Sequence, residues 1–176
     1  MTIQVGVPFD VTLWKAAVIK EDESLFTYNY KQQFTGTCPI PQKTTSKDLF
    51  ENKKVVLFAL PGTCSGNHLP GYVEHAGEIK SKGIDSIICL STNDSFVMSY
   101  WAKDRNVGDA VQLIADGNSE FTQKVGLIMD GSAFGMGALR SKRYAAIIDN
   151  GVVKYIGVEE PGKFELSAAD NILKQL

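Results

Sequence analysis

Cysteine is scarce. The chain holds three, Cys38, Cys64 and Cys89, and no two form a C-x-x-C pair. An odd, sparse set argues against a disulfide scaffold and for a reducing compartment, the cytoplasm being the expectation. At least one thiol is then free for catalysis or redox sensing. Histidine is scarcer still, with two residues, and no spacing among histidines and cysteines resembles a zinc site, so no metal or cofactor is expected. Charge of one sign is missing as well: 18 Lys and Arg face 20 Asp and Glu, a net charge of -2. That balance gives no reason to expect a nucleic-acid partner. No apolar run approaches the roughly 20 residues of a transmembrane helix, so no membrane span is expected. The opening MTIQVGVPFDVTLWKAAV has no basic segment before an apolar core and does not read as a secretory signal. Internal repeats and low-complexity segments are absent. A length of 176 residues favours one domain, residues 1–176, with a proper core.

What is present centres on KKVVLFALPGTCSGNHLPGYV, residues 53–73. Val55 to Leu60 reads as a buried strand, Pro61-Gly62-Thr63 as a short loop, and Cys64 comes next. Leu69, Tyr72, Val73, Ala76 and Ile79 then fall at helical spacing. A thiol between strand and helix is chemically placed, because unpaired N–H groups at a helix start favour a thiolate. The same residues also fit a small buried cysteine capping a core helix. Pro70 means that the helix either begins near Leu69 or is kinked there.

Val11–Trp14 and Leu25–Tyr30 carry β-branched and aromatic residues, and predict an N-terminal β-hairpin. Thr37 to Pro41 is a proline-held loop, and Ser46 is expected to cap a helix over 47–51. Beyond Leu60 come strands over 84–90 and 111–115, helices over 95–104 and 120–125, and a glycine-rich loop over 126–141. Strands over 143–149 and 152–158 meet at Asn150-Gly151, a hairpin signature, and a helix over 167–176 closes the chain. The order predicts an α/β architecture, a central mixed β-sheet flanked by helices. A cysteine after the first core strand gives it the layout of a thioredoxin-like fold.

Several blocks resemble the peroxiredoxins. They are PG…TCS..HLPGY (61–72), LSTNDSFVMSYWAK (90–103), ADGNSEFT (115–122), LRSKRYAAIIDNGVV (139–153) and SAADNILKQL (167–176). The subgroup they resemble holds peroxiredoxin V and the fungal alkyl hydroperoxide reductases, and the likeness runs from about Ser46 to Leu176. The resemblance implies a thiol-dependent peroxidase with Cys64 as its peroxidatic cysteine. It implies hydroperoxide substrates, a homodimer, and thioredoxin or a similar thiol as reductant. Arg143 matches the family's active-site arginine, whose permanent charge and fork of donors suit a thiolate and a peroxide. CPIPQ, with Cys38, resembles the segment that carries a resolving cysteine in the fungal branch.

The chain departs from the family pattern in one place. The family reads P-G-A-F-T-P-T-C, whereas Pro61-Gly62-Thr63-Cys64 is four residues shorter, and Pro61 stands where the catalytic threonine would. Among the other candidates, Cys89 is expected in the core, His68 in a structural backbone hydrogen bond, and His75 and Arg140 in solvent. Phe96, Tyr100 and Trp101 are expected in the core or a dimer interface, and Phe134 with Met136 in an apolar loop, either of packing residues or mobile and lining an entrance. The final Lys174-Gln175-Leu176 bears a distant likeness to a peroxisomal address, an alternative to the cytoplasm.

Overall fold

Side chains alternate between two faces along the central strands, and that alternation sets the layers. The computed structural model of the protein describes residues 27–29, 41–63 and 66–176. Strand β3, Lys54–Leu60, turns Val56, Phe58 and Leu60 to one face and Val55, Leu57 and Ala59 to the other, and all six are buried. A strand covered on both faces reads as an unbroken apolar run, as this one does. Strands β4 (Ser86–Ser91) and β5 (Gln112–Ala115) continue the sheet in parallel. On the other side of β3, β8 (Tyr144–Asp149) and β9 (Val152–Val158) add an antiparallel pair. Among the described residues, two short strands, β1 (Thr27–Asn29) and β2 (Gln42–Thr44), complete a seven-stranded sheet of order β2-β1-β5-β4-β3-β8-β9.

Helices cover both faces. On one, α1 (Ser46–Phe50) and α5 (Glu120–Lys124) bring Leu49, Phe50 and Phe121 onto Val55, Leu57 and Ala59. On the other, α2 (His68–Glu74), α3 (Ala76–Ser81), α4 (Ser95–Asp104) and α6 (Ala169–Gln175) bring Leu69, Tyr72, Ile79, Trp101 and Ile172 onto Val56, Phe58 and Leu60. This is the thioredoxin-like α/β arrangement expected from the order of elements. Asn150 and Gly151 both take positive φ, 47° and 75°, the requirement of the tight hairpin turn that Asn-Gly signals.

Several local expectations move. Thr45, not Ser46, caps α1: its hydroxyl accepts from the Asp48 amide at 3.2 Å while the Asp48 carboxylate accepts from the Thr45 amide at 3.0 Å. That reciprocal pair beats a lone serine one residue on, and Ser46 is instead the first, buried residue of the helix. Pro70 sits in the first turn of α2, where a missing N–H costs nothing, so the helix begins near it without a kink. The run to Gly83 breaks at His75, which ends α2 and opens α3. The glycine-rich 126–141 stretch is not all loop. Ile128–Met129 (β6) pairs with Arg140–Ser141 (β7) around a 3-10 turn at Ser132–Phe134. Two-residue strands carry no periodicity, so pattern reading misses them. Of the predicted N-terminal hairpin, Val11–Trp14 lies outside the described residues; β1 pairs with β2 and β5.

Candidate active site

Strand register decides which loops meet. Leu60 pairs with Ser91 across the parallel β3–β4 ladder, and Ala59 with Tyr144 across the antiparallel β3–β8 ladder. Pro61-Gly62-Thr63, Thr92-Asn93 and Arg143 therefore leave the sheet at one edge, the carboxyl end of its parallel strands. That edge is where open α/β sheets bind ligands. Cys64 follows Thr63 in the chain, but Cys64, Ser65 and Cys38 all lie outside the described residues. The first described helical residue after Cys64 is His68, four positions on.

Arg143, just before β8, is half-buried, and its Nη1 lies 2.9 Å from Nδ1 of His68. The other ring nitrogen, Nε2, lies 3.0 Å from the carbonyl oxygen of Ser167. A carbonyl only accepts and a guanidinium only donates, so the pair of contacts fixes the ring. Nε2 carries the proton, and Nδ1 accepts from Arg143. Burial, and then the neighbouring Arg143 charge, lower the His68 pKa to about 3. The imidazole is thus neutral at physiological pH. Burial also lowers the Arg143 guanidinium from its ordinary value, while Glu159 opposes the shift. Phe58 stacks on Tyr72 at 3.9 Å between centroids and meets the His68 ring at 4.9 Å, so the core clamps the histidine from below.

The segment over 159–167 closes the other side. Phe164 meets the His68 ring edge-on at 5.0 Å, and the Arg143 guanidinium carbon lies 6.0 Å from its ring centroid. Glycine at 157 permits the close approach of this segment to β9. A Cβ there would meet the Tyr155 hydroxyl at 2.7 Å and the Leu166 carbonyl oxygen at 2.8 Å.

Arg140 is not solvated as the sequence suggested. Its guanidinium donates to the Pro61, Thr92 and Met136 carbonyls and to Asn93 Oδ1. Three carbonyls converge there because β3, β4 and the β6–β7 loop end together, a coincidence of topology that no local pattern announces. Arg140→Ala strands those acceptors at a part-buried position. The expected result is a loss of about 2 kcal/mol in urea unfolding. A stability within error of wild type would contradict the network.

The remaining candidates divide. Cys89 is fully buried in β4 and burial pushes its thiol pKa up, as a core role requires. His68 makes the backbone bond foreseen for it and, in addition, meets Arg143. His75 is only part-exposed, with Nε2 3.3 Å from Asp170 and Nδ1 3.5 Å from Glu78. Trp101 is buried, whereas Phe96, Tyr100 and Phe134 are exposed.

A thioredoxin-like sheet with a half-buried arginine paired to a buried histidine at its ligand-binding edge defines the class. The family model described as Redoxin matches residues 17–173. Among curated proteins, Peroxiredoxin-2E, chloroplastic, of Arabidopsis thaliana is 46% identical over 156 residues, covering 85% of this chain and 65% of that protein. Peroxiredoxin-2B of the same plant is 45% identical, covering 77% and 85% respectively. Reduced Prx3 in complex with H2O2 from Vibrio vulnificus superposes with a TM-score of 0.77 at 40% identity, over 86% of this chain and 93% of that one. The chain belongs to the peroxiredoxins of the Redoxin family. It spans less than two thirds of the Peroxiredoxin-2E it matches.

Proposed function

We propose that the protein is a thiol-dependent peroxidase that reduces hydrogen peroxide and alkyl hydroperoxides. The observation that carries the reading is the Arg143–His68 pair, Nη1 to Nδ1 at 2.9 Å, at the edge where Cys64 follows Thr63. In the reaction, the Cys64 thiolate attacks one oxygen of the O–O bond. The bond breaks, the other oxygen leaves with its electron pair, and a proton completes water or alcohol. Cys64 becomes a sulfenic acid. Arg143 holds the thiolate and the peroxide oxygens with a charge it cannot lose. Because the His68 ring is neutral and offers Arg143 a lone pair, it orients the guanidinium without adding a second positive charge. The Cys38 thiol then attacks the sulfenic sulfur, expelling water and forming a disulfide. Thioredoxin or a similar dithiol reopens it by exchange.

The finer placement is the subgroup of peroxiredoxin V and the fungal alkyl hydroperoxide reductases, with a loop four residues shorter before Cys64. That loop favours a second reading, a catalytically impaired relative acting as a redox sensor or binding partner. Pro61 offers neither hydroxyl nor N–H at the position of the family threonine. The exposed Phe96, Val97 and Tyr100 of α4 suit a homodimer surface. We place the chain, as one domain over residues 1–176, in the cytoplasm, with the peroxisome as alternative; Peroxiredoxin-2E is chloroplastic by name.

The test is coupled turnover. With NADPH, thioredoxin reductase and thioredoxin, the protein is expected to consume tert-butyl hydroperoxide, and peptide mapping after oxidation to find a Cys38–Cys64 disulfide. Cys38→Ser is expected to keep the first oxidation and lose thioredoxin-dependent turnover. Full turnover in Cys38→Ser would remove its resolving role. No turnover in the wild type, with folding intact, would favour the sensor reading.

A further inference from the structure

We propose that Glu159 is a positioning residue for the Arg143 guanidinium, acting through Ser167 and the ring of His68. Its consequence for rate rests on the peroxidase reading above; its geometry does not.

The relay begins with one oxygen. Glu159 Oε1 accepts from the Glu165 amide at 2.8 Å, the Ser167 amide at 2.7 Å and the Ser167 hydroxyl at 2.8 Å. Three donors on one carboxylate oxygen fold residues 159–167 into a closed loop. A carboxylate is the acceptor suited to that number of donors. The loop presents the Ser167 carbonyl to the core, where it accepts from His68 Nε2 at 3.0 Å and from the Tyr72 hydroxyl at 2.8 Å. That carbonyl, together with the Arg143 donor, keeps the His68 proton on Nε2 and leaves Nδ1 as an acceptor for Arg143. The loop also returns to the residue it serves, since the Glu159 amide donates to the Arg143 carbonyl at 2.9 Å. Glu159 thus holds the backbone of Arg143 with its amide and, through Ser167 and His68, its side chain with its carboxylate.

Among the described residues, other restraints do not duplicate this one. Asn171 Nδ2 at 2.8 Å and the Tyr155 hydroxyl at 3.4 Å hold the Leu166 carbonyl, one residue earlier. They leave the Ser167 amide and hydroxyl without a substitute for Oε1. With Oε1 removed, the Ser167 amide and hydroxyl lose their acceptor, and the Tyr72 hydroxyl and the His68 N–H are the remaining hold, among the described residues, on a Ser167 carbonyl that is now looser. The imidazole can then move its N–H to Nδ1, where it faces the guanidinium donor to donor, and the guanidinium is displaced.

The experiment compares Glu159→Ala, Glu159→Gln, Arg143→Ala and the Glu159→Ala/Arg143→Ala double variant by two readouts. One is the rate constant for oxidation of the reduced protein by hydrogen peroxide. The other is the ring 15N spectrum of His68, which needs no peroxide. Glu159→Ala is expected to slow oxidation by about 10²-fold, the scale of a misplaced catalytic group. Glu159→Gln keeps an oxygen acceptor and is expected to restore most of the rate. The double variant is expected to be no slower than Arg143→Ala, because the two residues act in series. The His68 spectrum is expected to show the Nε2–H tautomer in the wild type and in Glu159→Gln, and a tautomer mixture in Glu159→Ala. Effects that multiply in the double variant would overturn the proposal, as would a Glu159→Ala ring spectrum identical to wild type. If the wild type does not reduce peroxide, the function proposed above fails, while the ring spectra still decide the role of Glu159. If Glu159→Ala does not fold, Glu159→Asp, one methylene shorter, is measured in its place with the same expected direction.

Discussion

Replacing Arg143 with alanine is expected to slow the reaction of Cys64 with peroxide by about 10²–10³-fold, the range for loss of one preorganised electrostatic donor. The guanidinium is half-buried and held by His68 Nδ1 at 2.9 Å, with the Phe164 ring 6.0 Å away. Its orientation is therefore set before substrate arrives, and no reorganisation is needed as charge develops on the peroxide. Arg143→Lys is expected to recover only part of the loss, because an ammonium keeps the charge but not the planar fork. Stopped-flow oxidation of each reduced variant checks both statements. Rates within a factor of two of wild type in Arg143→Ala would remove Arg143 from the chemistry.

The second large effect is on stability in acid. His68 has a native pKa of about 3, set first by burial and then by the charge of Arg143. An unfolded histidine titrates near 6.5. Between those values the unfolded chain binds a proton that the native chain refuses, so stability rises with pH across the window. The contribution is fully present above about 6.5 and is lost as pH falls toward 3, at about 1.4 kcal/mol per pH unit once well inside the window. By pH 4.5 the loss is about 2–3 kcal/mol, a large share of an ordinary domain's stability. Urea unfolding at a series of pH values is expected to show this slope in the wild type and a flatter one in His68→Gln. Parallel slopes in the two proteins would contradict the neutral, doubly held ring.

The sheet was legible because its strands are coded locally. VVLFAL and IICL are unbroken apolar runs, and Asn150-Gly151 announces the β8–β9 turn by its backbone chemistry. Helix α4 matched its predicted span because Asp94 caps it, accepting from the Phe96 and Val97 amides at 2.9 Å. Arg143 became a candidate through its block. The residues around it were not. Arg140 looked like a surface arginine because its acceptors, the Pro61, Thr92 and Met136 carbonyls, are backbone atoms brought together by three separate segments. Glu159 and Ser167 stand 91 and 99 positions from His68, and nothing in the chain marks an acid eight residues before a serine as a clamp. The break at His75 was hidden because apolar spacing continues through it from Tyr72 to Ala76 and Ile79.

The most direct test of the account is a single-turnover measurement: reduced protein mixed with hydrogen peroxide, beside Cys64→Ser, with the sulfur species identified by mass spectrometry after trapping. The expected result is oxidation orders of magnitude faster than that of an ordinary thiol, a sulfenic acid on Cys64, and no fast phase in Cys64→Ser. Oxidation at the rate of an unactivated thiol, or a fast phase that survives in Cys64→Ser, would contradict it.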